Sequence, residues 1–360
     1  MSHPQNFPPF SGQQGITPET IRREFDRLLQ TGAAQNNDDM GNILFRMRDI
    51  IDWMERSNVR PIPKMLFGEF WFEGELCILF ADSNLGKSIL AVQLGDSISR
   101  SQPIAHFKLE AEQQSILYFD FELADKQFEA RYSANYTMHY PFSRQFLRAE
   151  LDSSADIPTE FDHFDVFLNN QLENLVVSSG AKVVIIDNLT YLRSETERAK
   201  DALPLMKHLK ALKSKYNLSI LALAHTPKRD PGRPITRNDL QGSKMLMNFC
   251  DSAFAIGESA KDKSIRYLKQ IKQRNTEEVY GPGNICLFCI SKPHNFLHYE
   301  FMGFGREWEH LRQPDDEDRE ALRLKAIELK DKGKSLREIA AVLGITHTKV
   351  GRLLKEREND

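Results

Sequence analysis

The sequence predicts an α/β protein with a mainly parallel central sheet flanked by helices. Three observations carry this. From about residue 67 to 302, apolar runs with the length of buried strands alternate with helical patterns. One of those runs ends in a Gly-Lys-Ser turn that opens directly into a helical pattern. The composition, 41% hydrophobic and 28% charged over 360 residues, is that of a globular chain, long enough for two or three domains at roughly 100 to 200 residues each.

Residues 1 to about 15 are rich in Pro, Gly and Gln and read as a tail. Thr17-Pro18-Glu19 offers a helix start with a capping residue and a proline at the first helical position, and that helix is expected to run to about Gln30. After a polar stretch, Ile43, Met47, Ile50, Ile51 and Met54 recur at helical spacing. This entry region, residues 1–64, is too small to fold alone and is expected to dock on the main domain or on a neighbouring subunit. The expected parallel strands are Leu76–Ala81, Ser115–Asp120, Lys182–Asp187, Leu218–His225 and Ser252–Ile256, with Arg266–Gln273 and Asn284–Ser291 as added antiparallel strands of a core spanning 65–312. An acidic linker, 313–318, precedes a helical unit over 319–360.

Lys plus Arg number 48 against 51 Asp plus Glu, a formal charge of −3, so nucleic-acid binding has to come from local clusters rather than bulk charge. The first residues lack the basic and apolar regions of a signal peptide, and no apolar run approaches the roughly 20 residues that span a bilayer. The expectation is a cytoplasmic protein with no membrane partner. Four cysteines make a disulfide framework unlikely to be the organising principle. Cys286 and Cys289, followed by His294 and His298, have the look of a zinc site, but ICLFCIS alternates as a strand and would point the thiols to opposite faces; a hairpin turning at KPHN is the preferred reading.

The turn Ala81-Asp82-Ser83-Asn84-Leu85-Gly86-Lys87-Ser88 matches G-x-x-x-x-G-K-[ST] except that Ala81 replaces the first glycine. Backbone N–H groups of residues 83 to 89, from Ser83, Asn84 and Leu85 through Ile89, would surround phosphate oxygens at a helix N-terminus. Lys87 would reach the β and γ phosphates, and the Ser88 hydroxyl would ligate magnesium. AKVVIIDNL ends an apolar run in Asp187, the place for a carboxylate in the metal's shell. Asp120 and Glu122, at the end of SILYFDFEL, are both candidates to activate a water.

Together these residues resemble the RecA-like AAA-family ATPases, in particular the DnaB-type replicative helicases and the smaller RepA-type plasmid helicases, over about residues 65 to 300. The resemblance implies ATP and Mg2+ as ligands, selects Glu122 over Asp120 as general base, and places Arg131 near the nucleotide. It makes His225, ending LSILALAH, a sensor of the γ phosphate, and Lys272 and Arg274 of KQIKQRNT a pair reaching the neighbouring subunit's nucleotide. It further implies a homo-oligomer, usually a hexamer, acting on single-stranded DNA. The large N-terminal domain of DnaB-type helicases has no counterpart here.

The segment PKRDPGRPITRNDLQGSK follows the sensor position, where RecA-like motors contact a single strand. Lys228, Arg229, Arg233, Arg237 and Lys244 outnumber Asp230 and Asp239 there, and its prolines and glycines predict an irregular, mobile segment suited to a DNA backbone. The first loop, with Arg193, is mixed in sign. In the C-terminal unit, Ser335 and Glu338 form a capping box, Gly344 makes a turn and Thr346 caps a third helix. The pattern resembles the helix-turn-helix of resolvases, whose third helix would offer His347, Thr348, Lys349 and Arg352 to duplex DNA. The functional expectation is an ATP-dependent DNA helicase ring active in replication or mobilisation of a mobile element. The rivals are an ATP-switched DNA-binding regulator without unwinding and a recombinase filament.

Overall fold

The computed structural model describes residues 47–152, 158, 161, 164–192, 202–227, 229–240, 243–312 and 316–355. The chain divides into two compact units, Met1–Ile62 and Pro63–Asp360. In the first, α1 (Ile50–Asn58) starts behind Asp49, whose carboxylate accepts from the Asp52 amide at 2.9 Å, and it buries none of its residues. Of the helical pattern read from Ile43, residues 47–49 are not helical and Ile50 onward is; Ile43 and the expected helix over 17–30 lie outside the described residues.

The second unit begins with the short hairpin β1 (Met65–Phe67) and β2 (Trp71–Phe72). The α/β part follows as β3 (Leu76–Ala81), α2 (Lys87–Arg100), β4 (Ile116–Asp120), α3 (Asp125–Arg131), the small hairpin β5 (Ser133–Ala134) and β6 (Met138–His139), β7 (Phe146–Glu150), α4 (Phe164–Ser179), β8 (Val183–Asp187), α5 (Ala202–Tyr216) and β9 (Ser219–His225). A 3-10 turn at Arg237–Asp239 leads to α6 (Ser243–Phe249) and to β10 (Ser252–Glu258), β11 (Ile265–Lys272), β12 (Ile285–Ser291) and β13 (His298–Gly305). A second 3-10 turn, Glu307–His310, precedes α7 (Asp316–Asp331), α8 (Leu336–Leu343) and α9 (His347–Lys355).

These strands make one nine-stranded sheet in the order β13-β12-β11-β10-β3-β9-β8-β4-β7. From β10 to β7 every neighbouring pair is parallel, and β10 to β13 form an antiparallel meander. Both faces are covered, so alternate residues of one strand enter different cores. Leu76, Ile78 and Phe80 pack with Leu205, Met206 and Leu209 of α5, while Cys77, Leu79 and Ala81 pack with Leu90, Val92 and Leu94 of α2. The hairpin expected at KPHN joins β12 to β13, and β12 puts Cys286 in the core and Cys289 on the other face. The edge strand β7 carries no strong strand signal in its sequence, FLRAE, and the sequence reading passed over it.

β9 lies between β3 and β8, so the C-terminal ends of β3, β9, β8 and β4 stand side by side in that order. Their exits place the phosphate loop, His225, Asp187 and Glu122 along one edge of the sheet.

The last three helices pack on Ala326, Ile339, Ala340 and Val350. Ser335 caps α8 with Glu338 returning to its backbone amide, Gly344 ends α8 in the left-handed region at φ 65°, and the Lys349 amide donates to the Thr346 hydroxyl. The acidic stretch read as linker is helical from Asp316, where carboxylates suit the positive end of the helix dipole.

Candidate functional site

The loop between β3 and α2 needs one residue that L-side chains rarely tolerate. Gly86 sits at φ 90°, and a Cβ there would come within 2.8 Å of Ile290 Cδ1 and 2.9 Å of the Tyr299 hydroxyl. Ala81, by contrast, is still in the strand, paired with His225, and its backbone is not left-handed. The missing first glycine of the motif is thus replaced where no glycine is required. Tyr299 also donates its hydroxyl to the Leu85 carbonyl, and its backbone exchanges hydrogen bonds with the Gln93 side chain at 2.9 and 3.0 Å, so β13 braces the loop and the first turns of α2. Ser83 and Asn84 are exposed at the loop's tip, and Ile89 is buried.

Lys87 is buried at the first position of α2. Its ammonium donates to the carbonyls of Ala81 at 3.1 Å and Asp82 at 3.0 Å and lies 3.2 Å from His225 Nδ1. Burial draws its pKa down, while Asp187, Glu122 and Asp82 pull it back up.

Asp187 ends β8 fully buried. The Tyr118 hydroxyl donates to its Oδ2 at 2.7 Å, and the Ser88 side chain lies beside the same carboxyl. Burial pushes its pKa up to about 6, against the lowering effect of Ser88 and Tyr118. Its Oδ1 has no partner. A buried carboxylate oxygen without a donor, beside a serine hydroxyl and at a phosphate loop, fits magnesium, a hard cation that takes oxygen ligands and fills its shell with phosphate oxygens and water. Ser88 and Asp187 would hold it, and it would supply charge neutralisation on the phosphates. Among the described residues no group of three or more His, Cys, Asp or Glu could hold a metal by itself, as suits a cation shared with a nucleotide. The peptide bond from Asp187 to Asn188 is cis.

Glu122 and Asp120 have different surroundings. Asp120 is buried and spoken for: Arg148 of β7 donates to its Oδ2 at 2.9 Å, and the amides of Glu122 and Leu123 donate to its Oδ1 at 3.1 and 2.9 Å. Glu122 is only a third exposed, with Asn188 Nδ2 donating to its Oε1 and His225 Nε2 3.4 Å from the same oxygen. His225, more than any other group, holds the Glu122 carboxyl below its ordinary range. A lysine ammonium only donates, so Nδ1 accepts from Lys87, while Nε2 faces both Glu122 Oε1 at 3.4 Å and Asn188 Nδ2 at 3.1 Å. Asn188 Oδ1 accepts from the Thr190 amide at 2.8 Å, which turns its amide nitrogen to Glu122.

The structure thus brings Lys87, Ser88, Asp187, Glu122 and His225 together. Arg131 ends α3, the helix that follows Glu122. Lys272 and Arg274 lie elsewhere: Lys272 pairs with Ala253 near the start of β10, at the opposite edge of the sheet from the phosphate loop. There Lys272 donates to the carbonyls of Met247 (2.5 Å) and Cys250 (2.7 Å), and Arg274 Nη1 lies 3.0 Å from Asp251 Oδ1. They are remote from their own chain's site.

The segment after β9 is irregular, as expected, and is tied to the sheet at Ile235. Its amide at Ile235 donates to Glu307 Oε1 at 2.7 Å, its carbonyl there accepts from Lys269 at 2.8 Å, and Lys269 and Glu307 form a buried ion pair. A buried pair of this kind orders what it touches. Arg229 donates to the Arg233 carbonyl, Arg233 to the Gly344 carbonyl and Arg237 to the Ile271 carbonyl at 3.3 Å. Lys228, the Lys244 side chain and Arg193 lie outside the described residues. On α9, His347, Thr348, Lys349 and Arg352 are exposed, opposite the buried Val350 and Leu353. Sequence reasoning missed Tyr118, Arg148, Asn188 and Tyr299; only Asn188, adjoining Asp187, had a local signal.

A phosphate loop opening a helix beside a buried carboxylate and a serine defines the class as a P-loop nucleoside triphosphatase. A family model described as an AAA domain matches residues 45–231, more than half of the chain, and the chain belongs to that family of P-loop ATPases. Among solved structures it is similar to a KaiC-like protein of the hyperthermophilic archaeon Pyrococcus horikoshii OT3, at 11% identity and a TM-score of 0.44, covering 64% of this chain and 91% of that one. No curated protein matches the chain.

Two predictions follow from the carboxylates. The folded pKa of Asp187, about 6, lies above its ordinary value, so the folded chain binds more protons than the unfolded one between about pH 4 and 6, and stability falls as pH rises across that window. Asp187→Asn removes that cost. Urea unfolding of the nucleotide-free protein at about pH 7.5 should show the variant more stable by about 2 to 3 kcal/mol, with the gain gone near about pH 4. A variant no more stable at the higher pH contradicts the burial argument. Glu122→Gln keeps a side chain that can hydrogen-bond but removes the proton acceptor. Steady-state phosphate release should drop by about 10²-fold or more, with nucleotide affinity retained; unchanged turnover removes Glu122 as the base.

Proposed function

We propose that the chain is an ATP-driven DNA motor of RecA-like architecture, of the RepA or DnaB-type helicase group, working as a ring of copies on single-stranded DNA. The observation that carries this reading is the placement of Lys272 and Arg274 at the edge of the sheet opposite the phosphate loop. Neither can serve its own nucleotide from there, whereas a neighbouring copy stacked against that edge could receive both. In this reading Lys87 and the loop amides hold the phosphates, Glu122 takes a proton from the attacking water, and His225 registers the terminal phosphate through its two ring nitrogens. Arg274, aided by Lys272, stabilises charge from the adjoining copy, an effect of about 10³ to 10⁵ in rate for such residues. To act in this way Arg274, itself half exposed, has to leave the mostly buried Asp251, which keeps Lys213 and the Leu76 amide as partners.

The second reading, an ATP-switched DNA-binding regulator, also has an observation in its favour. The arginines of the segment after β9 hold backbone carbonyls of their own chain, while His347, Thr348, Lys349 and Arg352 on α9 are exposed. DNA would then be met chiefly by the three-helix unit acting as a helix-turn-helix, with several copies binding by avidity.

Complementation tests the shared site. Arg274→Ala and Glu122→Gln proteins, each inert alone, should regain ATPase activity when mixed, because some seams then combine an intact base with an intact arginine. No recovery on mixing, with wild-type turnover per chain independent of concentration, contradicts hydrolysis between copies. Strand release from a forked duplex separates motor from regulator.

A further inference from the structure

Arg229 was assigned above, on sequence position, to DNA; its surroundings point to the nucleotide instead. A cavity of about 680 Å³ opens beside the phosphate loop, over the ends of β3 and β10 and away from Asp187 and Glu122. Residues Asp82 to Leu85 of the loop form one wall, and Thr226 and Arg229 line the other. Thr226 follows His225 directly, and its amide donates to the Ala81 carbonyl at 3.0 Å, which locks it to the root of the loop. It is 7% exposed, yet its hydroxyl has no hydrogen-bond partner. Arg229 is mostly buried too. One of its terminal nitrogens is held by the Arg233 carbonyl, the guanidinium lies against the Tyr267 hydroxyl, and Asp239 pairs with it at 3.9 Å from Nε; that distance is beyond hydrogen-bond reach, so the Nε–H has no acceptor.

A buried hydroxyl or guanidinium N–H without an acceptor is uncommon because its lost hydration goes uncompensated. Two of them lining one cavity, facing a loop that surrounds phosphate, indicate an acceptor that arrives with the ligand. We infer that Thr226 and Arg229 contact the terminal phosphoryl group of the nucleoside triphosphate from the tip side of the loop, within the same chain, so that this wall distinguishes triphosphate from diphosphate. The inference requires only the P-loop class and holds whether the chain unwinds DNA or is merely switched by ATP. A guanidinium meets phosphate oxygens with charge-assisted hydrogen bonds, and the neighbouring hydroxyl adds a shorter-range one. The contact also accounts for Arg229 being folded in while Arg233 and Arg237 of the same segment stay exposed. Ile235, six residues past Arg229, is tied to Lys269 and Glu307, which holds the cavity wall against the sheet.

Binding of ATPγS and of ADP, each with magnesium, to full-length Arg229→Gln and Thr226→Val tests this by calorimetry. Arg229→Gln should weaken ATPγS by about tenfold or more while changing ADP about twofold or less, and Arg229→Lys should recover part of the loss. Thr226→Val, close to the same shape, should weaken ATPγS by several-fold with ADP unchanged, and it decides the matter if Arg229→Gln fails to fold. Equal losses for both nucleotides, or unchanged ATPγS binding with weakened binding of a single-stranded oligonucleotide, overturn the assignment.

Discussion

A buried ammonium organises this molecule. Lys87 has two loop carbonyls and one imidazole nitrogen in place of water, and each comes from the exit of β3 or β9. Because a lysine can only donate, the imidazole must accept at Nδ1, which leaves Nε2 facing Glu122 at the exit of β4 and the Asn188 amide nitrogen. Asn188, just past the end of β8, completes the chain by donating to the same carboxylate. Four strand ends are therefore joined through polar side chains and two loop carbonyls, and the strand order is what makes it possible, since β9 separates β3 from β8 by one place. A phosphate drawing Lys87 toward itself would alter the hydrogen bond at Nδ1 and be felt at Glu122 through the ring.

The two acidic roles at this edge are divided by environment. Asp120 is neutralised by Arg148 and by two amides and serves the turn that aims Glu122 outward. Asp187 is buried with one oxygen lacking a donor and its pKa raised to about 6, a cost to the free fold that a cation would offset. Glu122, held low by His225 and partly open to solvent, remains ionised and able to accept a proton. Tyr299 and Gln93 keep the loop against β13, so the phosphate site depends on the antiparallel meander as much as on the parallel strands.

What was legible in the sequence is what depends on neighbours in the chain. The Gly-Lys-Ser turn, the apolar runs ending in Asp187 and His225, and the Ser335–Glu338 capping box with Gly344 are short-range patterns. The parallel sheet, the antiparallel additions and the hairpin after Cys289 followed from them. What was not legible depends on distant pairs. Tyr118 meets Asp187 only because β4 and β8 are adjacent, Arg148 meets Asp120 only because the weakly patterned FLRAE pairs with β4, and Tyr299 reaches Leu85 from the far end of the domain. The prolines, glycines and arginines of the segment after β9 made a loop legible there, whereas the buried Lys269–Glu307 pair that ties it to the sheet lies some 30 to 70 residues away.

The tautomer of His225 tests the central claim most directly. Nitrogen-15 NMR of the ring in nucleotide-free protein, at a pH of about 8 and assigned with a His225→Asn variant, should show the proton on Nε2 and an acceptor Nδ1, with the Nδ1 signal moving when ATPγS and magnesium bind. A proton on Nδ1, or a ring signal indifferent to the triphosphate, would contradict a link from Lys87 through His225 to Glu122.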